Sequence, residues 1–453
     1  MSGRVSYRRE FTYGASEQEE GTGLTGQRVN PRLTLSAHRS LTLRLFSSPP
    51  VTDDTSVALQ PKPGNRPSPL GVVVHKRKIA ASAALAVLVG SVAFSGAATA
   101  ATKGKSVKCP KGLKIAFLGA LSGENGALGQ NMVDGASIAF DEFNKANKGC
   151  QVKFDKSTFY DSQGSPDQAS PLAPKIVGDK GVIGLIGPGF SGESKATGPV
   201  FFAAGLNSVT PGATNAKLTL NGWTTWHRIL ANDDKQGPGI AKLIKNSGAK
   251  KVGVIDDASE YGKGLADTVR SSLGALKVAD DTIDPKGADF SAAVNKMKAA
   301  GVDTVFYGGY YAEAAKLIKQ MVDAGVKAQF VAGDGVLDQK FIDNAGASAD
   351  GALVTATGAP ADINADFLAK FQAKFKKDPT TYAPEAYDCA KVFLDAIAAG
   401  KTTRKAVGAF IDTYDKLGVT KQIKFTPEGE VAGDAVYAYK VAGGKLVPQG
   451  IIK

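Results

Sequence analysis

The sequence predicts an α/β protein built as two doubly wound lobes joined by a hinge. Three observations carry the prediction. Short apolar runs of strand length alternate with longer amphipathic stretches from Leu113 onward. The rhythm occurs twice, over roughly 113–226 and 233–357, and the stretch Ala231-Asn232-Asp233-Asp234 interrupts it. A strand followed by a helix, repeated, builds a parallel sheet with helices on both faces.

In chain order, strands are expected at 113–119, 151–160, 182–187, 207–210, 251–256, 304–307, 329–332 and 352–355. Amphipathic helices fall between them at 129–147, 237–246, 261–276, 290–300 and 312–324. A further helical region covers 361–417, and a final strand pair is expected at 423–426 and 435–441. The lobes then comprise 101–231 with 358–420, and 232–357 with 421–453, crossed near 228–233, 356–360 and 417–423. Two such lobes place a ligand cleft at the carboxyl ends of their strands, so the post-strand loops carry the chemistry.

The start of the chain bears on destination. His75-Lys76-Arg77-Lys78 precedes an apolar run over 79–94, and small residues end in Ala98-Thr99-Ala100. A basic n-region, an apolar h-region and an A-x-A site describe a secretory signal peptide over 74–100. The apolar run is shorter than the roughly 18–20 residues that a spanning helix needs. Export to the periplasm or the cell surface follows. Such a signal belongs near an initiator. Residues 1–73, turn-rich around Pro49-Pro50 and 61–69, are therefore expected to be a non-native or disordered extension. Alternative initiation at Val72, Val73 or Val74 would explain it, and N-terminal sequencing of the secreted protein tests the point.

Leaving out the first 100 residues, which carry twelve Lys or Arg and six Asp or Glu, lowers the net charge from +12 to +6. The remaining lysines are scattered, without the basic clusters of a nucleic-acid footprint. Cys109 and Cys150 stand just before the first two expected strands, so adjacent strands bring them within bridging reach in an oxidising compartment. Cys389 sits in an Ala-rich helical pattern as a small buried residue.

Catalytic motifs fail on inspection. Gly187-Pro188-Gly189-Phe190-Ser191-Gly192 fits G-x-G-x-x-G, but Pro188 removes an amide and no acid ends the next strand. Glu193 stands where a nucleophile elbow needs glycine. Beyond residue 100 only His227 could serve as a histidine base, and it is expected to be structural. No zinc spacing occurs, no cofactor is implied, and Asp256-Asp257 is expected to be a solvated strand end rather than a calcium site.

A binding set remains: Ser191, Gly212-Ala213-Thr214, Tyr261, Tyr310 and Asp334, all on post-strand loops. Hydroxyls and amides of the first block suit a carboxylate; an acid of the second suits an ammonium, with tyrosines as walls. Split across two lobes, the set binds a zwitterion only when the cleft shuts.

Over almost all of 113–441 the chain resembles the branched-chain amino-acid binding proteins of bacterial ABC transporters, with the type I periplasmic binding, Rossmann-like and Venus-flytrap fold. The resemblance is carried by Gly119-Ala120-Leu121-Ser122-Gly123, Gly129-Gln130, Gly135-Ala136, Ile186-Gly187, Thr210-Pro211-Gly212-Ala213-Thr214 and Asp234-Lys235-Gln236-Gly237. It continues through Tyr261-Gly262-Lys263-Gly264, Phe306-Tyr307-Gly308-Gly309-Tyr310 and Gly333-Asp334-Gly335-Val336. It implies that Ser191, Thr214 and the amides around Ala213 hold the ligand carboxylate. The Gly212 carbonyl and Asp334 take the ammonium, Tyr261 and Tyr310 close over it, and Tyr382 forms an aromatic wall.

Two departures bear on the ligand. Leu128 stands where many members carry an aromatic residue, and Asp334 where branched-chain binders carry Glu; Phe190 adds an apolar wall. The implied protein is a monomeric, non-enzymatic trap for an amino acid, branched-chain or other neutral, with a membrane permease as partner. A ligand-sensing module of the same fold for amides, urea or aromatic acids is the alternative, and an extracellular hydrolase a weaker one.

Overall fold

The computed structural model describes residues 107–453 except residue 434. The expected extension over 1–73 and signal peptide over 74–100 lie outside the described residues.

Five parallel strands form the first sheet: β1 (Lys114–Gly119), β2 (Phe159–Asp161), β3 (Val182–Ile186), β4 (Ser208–Thr210) and β5 (Trp226–Arg228), in the order β2-β1-β3-β4-β5. Between them run α1 (Gly126–Ala146), α2 (Pro166–Ala169), α3 (Leu172–Gly178) and α4 (Ser191–Ala203). Five of the six β1 residues are buried. That is why β1 reads as a continuous apolar run, since a strand covered on both faces has no polar side. Ile115 and Phe117 join the cluster of Phe140 and Phe393, whereas Ala116 and Leu118 pack with Ala169, Ile176 and Phe201 of α2, α3 and α4.

The second sheet is built from β6 (Val252–Asp256), β7 (Lys277–Thr282), β8 (Thr304–Gly308), β9 (Gln329–Ala332) and β10 (Leu353–Ala356), all parallel. Its helices are α5 (Asp233–Asn246), α6 (Glu260–Leu273), α7 (Ser291–Ala300), α8 (Tyr311–Asp323) and α9 (Gln339–Ala345). Val252, Val254 and Phe306 face Ile240, Leu265 and Val269 of α5 and α6. Ile255, Val305 and Tyr307 belong to the larger cluster with Val294, Leu317 and Phe341 of α7, α8 and α9.

The chain then returns to the first sheet with α10 (Ala365–Phe375), α11 (Ala383–Ala398) and α12 (Arg404–Ile411). A hairpin of β11 (Asp415–Leu417) and β12 (Gln422–Lys424) leads back, and β13 (Tyr437–Ala442) and β14 (Lys445–Ile451) complete the second sheet in the order β14-β13-β10-β9-β8-β6-β7. The expected final pair therefore does not form. β12 pairs with β11, while β13 runs antiparallel to both β10 and β14. The turn over 426–430 separates them, with Gly429 at φ 85° set against the Trp226 carbonyl.

The strand expected over 151–160 is also shortened, to β2. Asp155 accepts the Ser157 amide at 2.8 Å and the Thr158 hydroxyl donates to the Asp155 carbonyl at 2.9 Å. Such local hydrogen bonds favour a turn over a ladder. Cys109 is joined to Cys150, with Cα atoms 4.9 Å apart, stapling the segment before β1 to the turn after α1. Cys389 is a buried free thiol on α11.

Close packing of α1 on α11 depends on Gly135, where a Cβ would lie 2.0 Å from the Ala383 carbonyl oxygen. Backbone cannot give way as a flexible side chain can. Gly135→Ala is expected to cost about 2–3 kcal/mol as an overpacking defect. Guanidinium unfolding of the variant measures it, and an unchanged midpoint contradicts the packing argument.

Candidate ligand site

On the first sheet, β3 delivers Phe190 and Ser191 to the start of α4. Glu193 fastens this turn by accepting the Phe190 amide at 2.9 Å and the Ser162 hydroxyl. Burial pushes the Glu193 carboxyl up to about 7. In the preceding G-x-G stretch the Gly187 amide bonds the Val209 carbonyl and the Gly189 amide the Leu118 carbonyl, both at 2.9 Å, so neither serves a phosphate. The Ser191 hydroxyl accepts the Asn215 amide at 3.2 Å. Its own proton remains for an acceptor in the cleft.

The loop after β4 carries Gly212, Ala213 and Thr214. The Thr210 hydroxyl donates to the Pro188 carbonyl at 2.6 Å and accepts the amides of Gly212 at 3.3 Å and Ala213 at 3.0 Å. That corrects one implied role: the Ala213 amide is occupied within the loop. Arg228 grips the same loop from behind, donating at 3.0 Å to the carbonyls of both Ala213 and Asn215. Between these, the Thr214 hydroxyl is buried close to the Asp233 carboxyl. Gly212 has no room for a side chain, since a Cβ would lie 2.6 Å from Met132 Cε and 2.8 Å from the Gly189 carbonyl oxygen.

On the second sheet, β9 delivers Asp334, which is fully buried. The Tyr261 hydroxyl donates to Asp334 Oδ1 and the Tyr382 hydroxyl to Oδ2, each at 2.7 Å. Tyr261 comes from α6 and Tyr382 caps α11, so the two clasp the carboxylate from opposite sheets. Tyr382 has φ 71°, a left-handed conformation that strains an aromatic residue and is characteristic of functional positions. Burial raises the Asp334 pKa, while hydrogen bonds from Tyr382 and Tyr261 act against the rise.

Asp233, at the start of α5, was absent from the expected set. It is 1% exposed, and the Thr214 hydroxyl lies beside its carboxyl. Burial, and then the charge of Asp334, push its pKa far above the ordinary range. The sequence signal for it is an acidic pair at the break between blocks, which by itself reads as a lobe crossing. Burial and the Asp334 charge together disfavour a second negative charge at Asp233.

Aromatic walls link the halves. The Phe190 and Tyr310 rings lie 4.8 Å apart and the Tyr310 and Tyr261 rings 5.1 Å. Leu128 is buried in α1 in the same apolar cluster as Met132, Phe190 and Tyr382.

Other candidates fall elsewhere. Buried His227 sits against the Ser208 carbonyl, its pKa pushed down to about 4 by burial, so it is neutral. Asp256 and Asp257 are buried rather than solvated, because Asp256 pairs with Arg270 and Asp257 accepts the Ser259 amide at 2.9 Å. Among the described residues no group of three or more His, Cys, Asp or Glu is placed to hold a metal ion.

The family model described as periplasmic binding protein matches residues 112–445. The Leu/Ile/Val-binding protein homolog 3 of Brucella melitensis is 32% identical over 377 residues, covering 80% of this chain and 98% of that protein. Among solved structures, LivJ from Streptococcus pneumoniae in complex with isoleucine superposes with a TM-score of 0.69 at 29% identity, covering 75% of this chain and 99% of LivJ. The leucine-binding protein LivK from Thermotoga maritima gives 0.69 at 26% identity over 75% and 99%. The match extends through both sheets and the returning helices, and the chain belongs to the periplasmic binding protein family, with its type I two-lobed fold.

Proposed function

We propose that this protein is the extracytoplasmic solute-binding component of an ABC transporter and captures a neutral amino acid, branched-chain or other, by hinge closure. The lobes divide as 101–231 with 358–420 and 232–357 with 421–453. The single observation that carries the ligand class is the buried Asp334 carboxylate, clasped from both sheets by Tyr261 and Tyr382. Asp334 attracts an ammonium, whereas Ser191 and Thr214 present hydroxyls to a carboxylate. The Gly212 carbonyl lies in the same loop as a further acceptor. Phe190, Tyr310 and Leu128 supply apolar surface to the side-chain end.

The names of the relatives, a Leu/Ile/Val-binding protein homolog and LivJ with isoleucine, support the same class. Asp334 in place of Glu, one methylene shorter, leaves the ammonium deeper in the second lobe or bridged by water. Closure follows because only the shut cleft brings all these groups to one ligand, and a ligand shifts the balance by its differential affinity for the closed state. A membrane permease is the partner that senses closure. The protein acts as a monomer, without turnover, in the periplasm or at the cell surface.

Calorimetric titration of the full chain with the twenty amino acids tests this reading, and binding of aromatic acids or amides alone overturns it. Thr214→Val keeps the shape of the side chain and removes the hydroxyl. A lost hydrogen bond to a charged group is worth about 1.5–3 kcal/mol, so affinity is expected to fall by about 10- to 150-fold.

A further inference from the structure

The segment carrying Asp334 is also fastened to the opposite lobe by side chains outside the proposed ligand set. Asn131, on α1, donates from Nδ2 to Asp338 Oδ2 at 3.0 Å. Asp338 is held in turn, since its Oδ1 accepts the Lys340 amide at 2.9 Å and caps α9. The Thr381 hydroxyl donates to the Leu337 carbonyl. Asn131 and Asp338 are 6% and 4% exposed, so their hydrogen bond is made away from water and across the cleft.

We infer that Asn131 and Thr381 are positioning residues that form a latch on the 334–338 segment, holding Asp334 in place and the cleft shut whichever ligand is bound. Their polar groups are spent on Asp338 and on the Leu337 carbonyl rather than on a ligand. The latch therefore favours the closed state by a fixed amount, and it acts on the rate of opening, not on encounter. Asp338 faces Asn131 from a rigid cap, and loss of the donor leaves a buried carboxylate with one oxygen unpaired in the closed state alone.

The inference rests on the amino-acid reading for its first test. Stopped-flow and calorimetric titration of the full chain with L-leucine, L-isoleucine and L-valine compare wild type with three single variants and the Asn131→Ala/Asp338→Ser double variant. Asn131→Ala is expected to weaken affinity about tenfold, by about 1.4 kcal/mol. Dissociation should accelerate by that factor while association changes less than twofold, and the factor should be equal for all bound ligands. Thr381→Val should act the same way, about threefold. Asp338→Ser keeps a good helix cap but cannot reach Asn131. It should match Asn131→Ala, and the double variant should be no worse than either single one.

Unchanged dissociation, ligand-dependent factors or additive losses each overturn the latch. If wild type binds none of the three amino acids, the ligand reading has failed separately. The latch is then decided by hydrogen exchange in the ligand-free chain. Amides of 337–340 should exchange about tenfold faster in Asn131→Ala, and unchanged exchange rejects it.

Discussion

Asp334→Ala is expected to abolish useful affinity for an amino acid while leaving the chain folded. Asp334 is the buried acid that two tyrosines from opposite lobes converge upon. Removing one partner of a buried, hydrogen-bonded charge pair costs about 2–5 kcal/mol, or about 30- to 5,000-fold in affinity. The lower end would apply if Asp233 partly takes over the ammonium.

Asp334→Asn separates charge from shape, because an amide oxygen still accepts one tyrosine hydroxyl but carries no charge. The two effects of that substitution should have opposite signs. Burial raises the Asp334 pKa in the folded state. A carboxyl so raised contributes stability below the pKa of its unfolded form, and that contribution is lost as pH rises through the folded value. Above that value the charged Asp334 burdens the ligand-free protein. Asp334→Asn should therefore raise the ligand-free melting temperature relative to wild type increasingly as pH rises, and lower the affinity. The trade-off is that of a site kept strained for its ligand. Calorimetric titration and thermal unfolding of the same preparation check both signs; a variant that binds normally removes Asp334 from the site.

The second large effect concerns the Cys109–Cys150 bond. It closes a loop of 41 residues, for which the chain-entropy model gives about 4 kcal/mol of stabilisation. Replacing both cysteines with serine should lower the free energy of unfolding by roughly that amount, read from guanidinium unfolding with and without reductant. Ligand affinity should change less than twofold. The bond precedes the amino end of β1, whereas the cleft lies beyond its carboxyl end, about 20 Å away at the rise of a six-residue strand. A large affinity loss in the serine variant would contradict this separation of stability from binding.

The legibility of the sequence followed the physics of burial. Strands covered on both faces, such as β1, β3, β6 and β8, are continuous apolar runs and stand out without a partner in view. β5 has only three residues, and β7 is the polar run Lys277–Thr282 at a sheet edge, so neither carries such a signal. β13 was located but wrongly paired, because pairing depends on which sheet the returning chain reaches.

Ser191, Thr214, Tyr261, Tyr310 and Asp334 are legible as candidates because post-strand loops of two doubly wound lobes face a common cleft. Asp233 and the Asn131–Asp338 contact are not, since they are defined only when the two lobes meet.

By itself, then, the sequence determined what local periodicity and composition can encode: two α/β blocks, the loops that bear polar groups, and a cysteine pair within reach. The tertiary structure alone decided which groups are already spent. It gave the Ala213 amide to Thr210 and set the Thr214 hydroxyl beside the Asp233 carboxyl. It also buried Asp233 within reach of the Asp334 charge, which together with burial raises its pKa. Hydrogen-bond satisfaction and burial depend on neighbours distant in the chain, and no pattern along one segment specifies them.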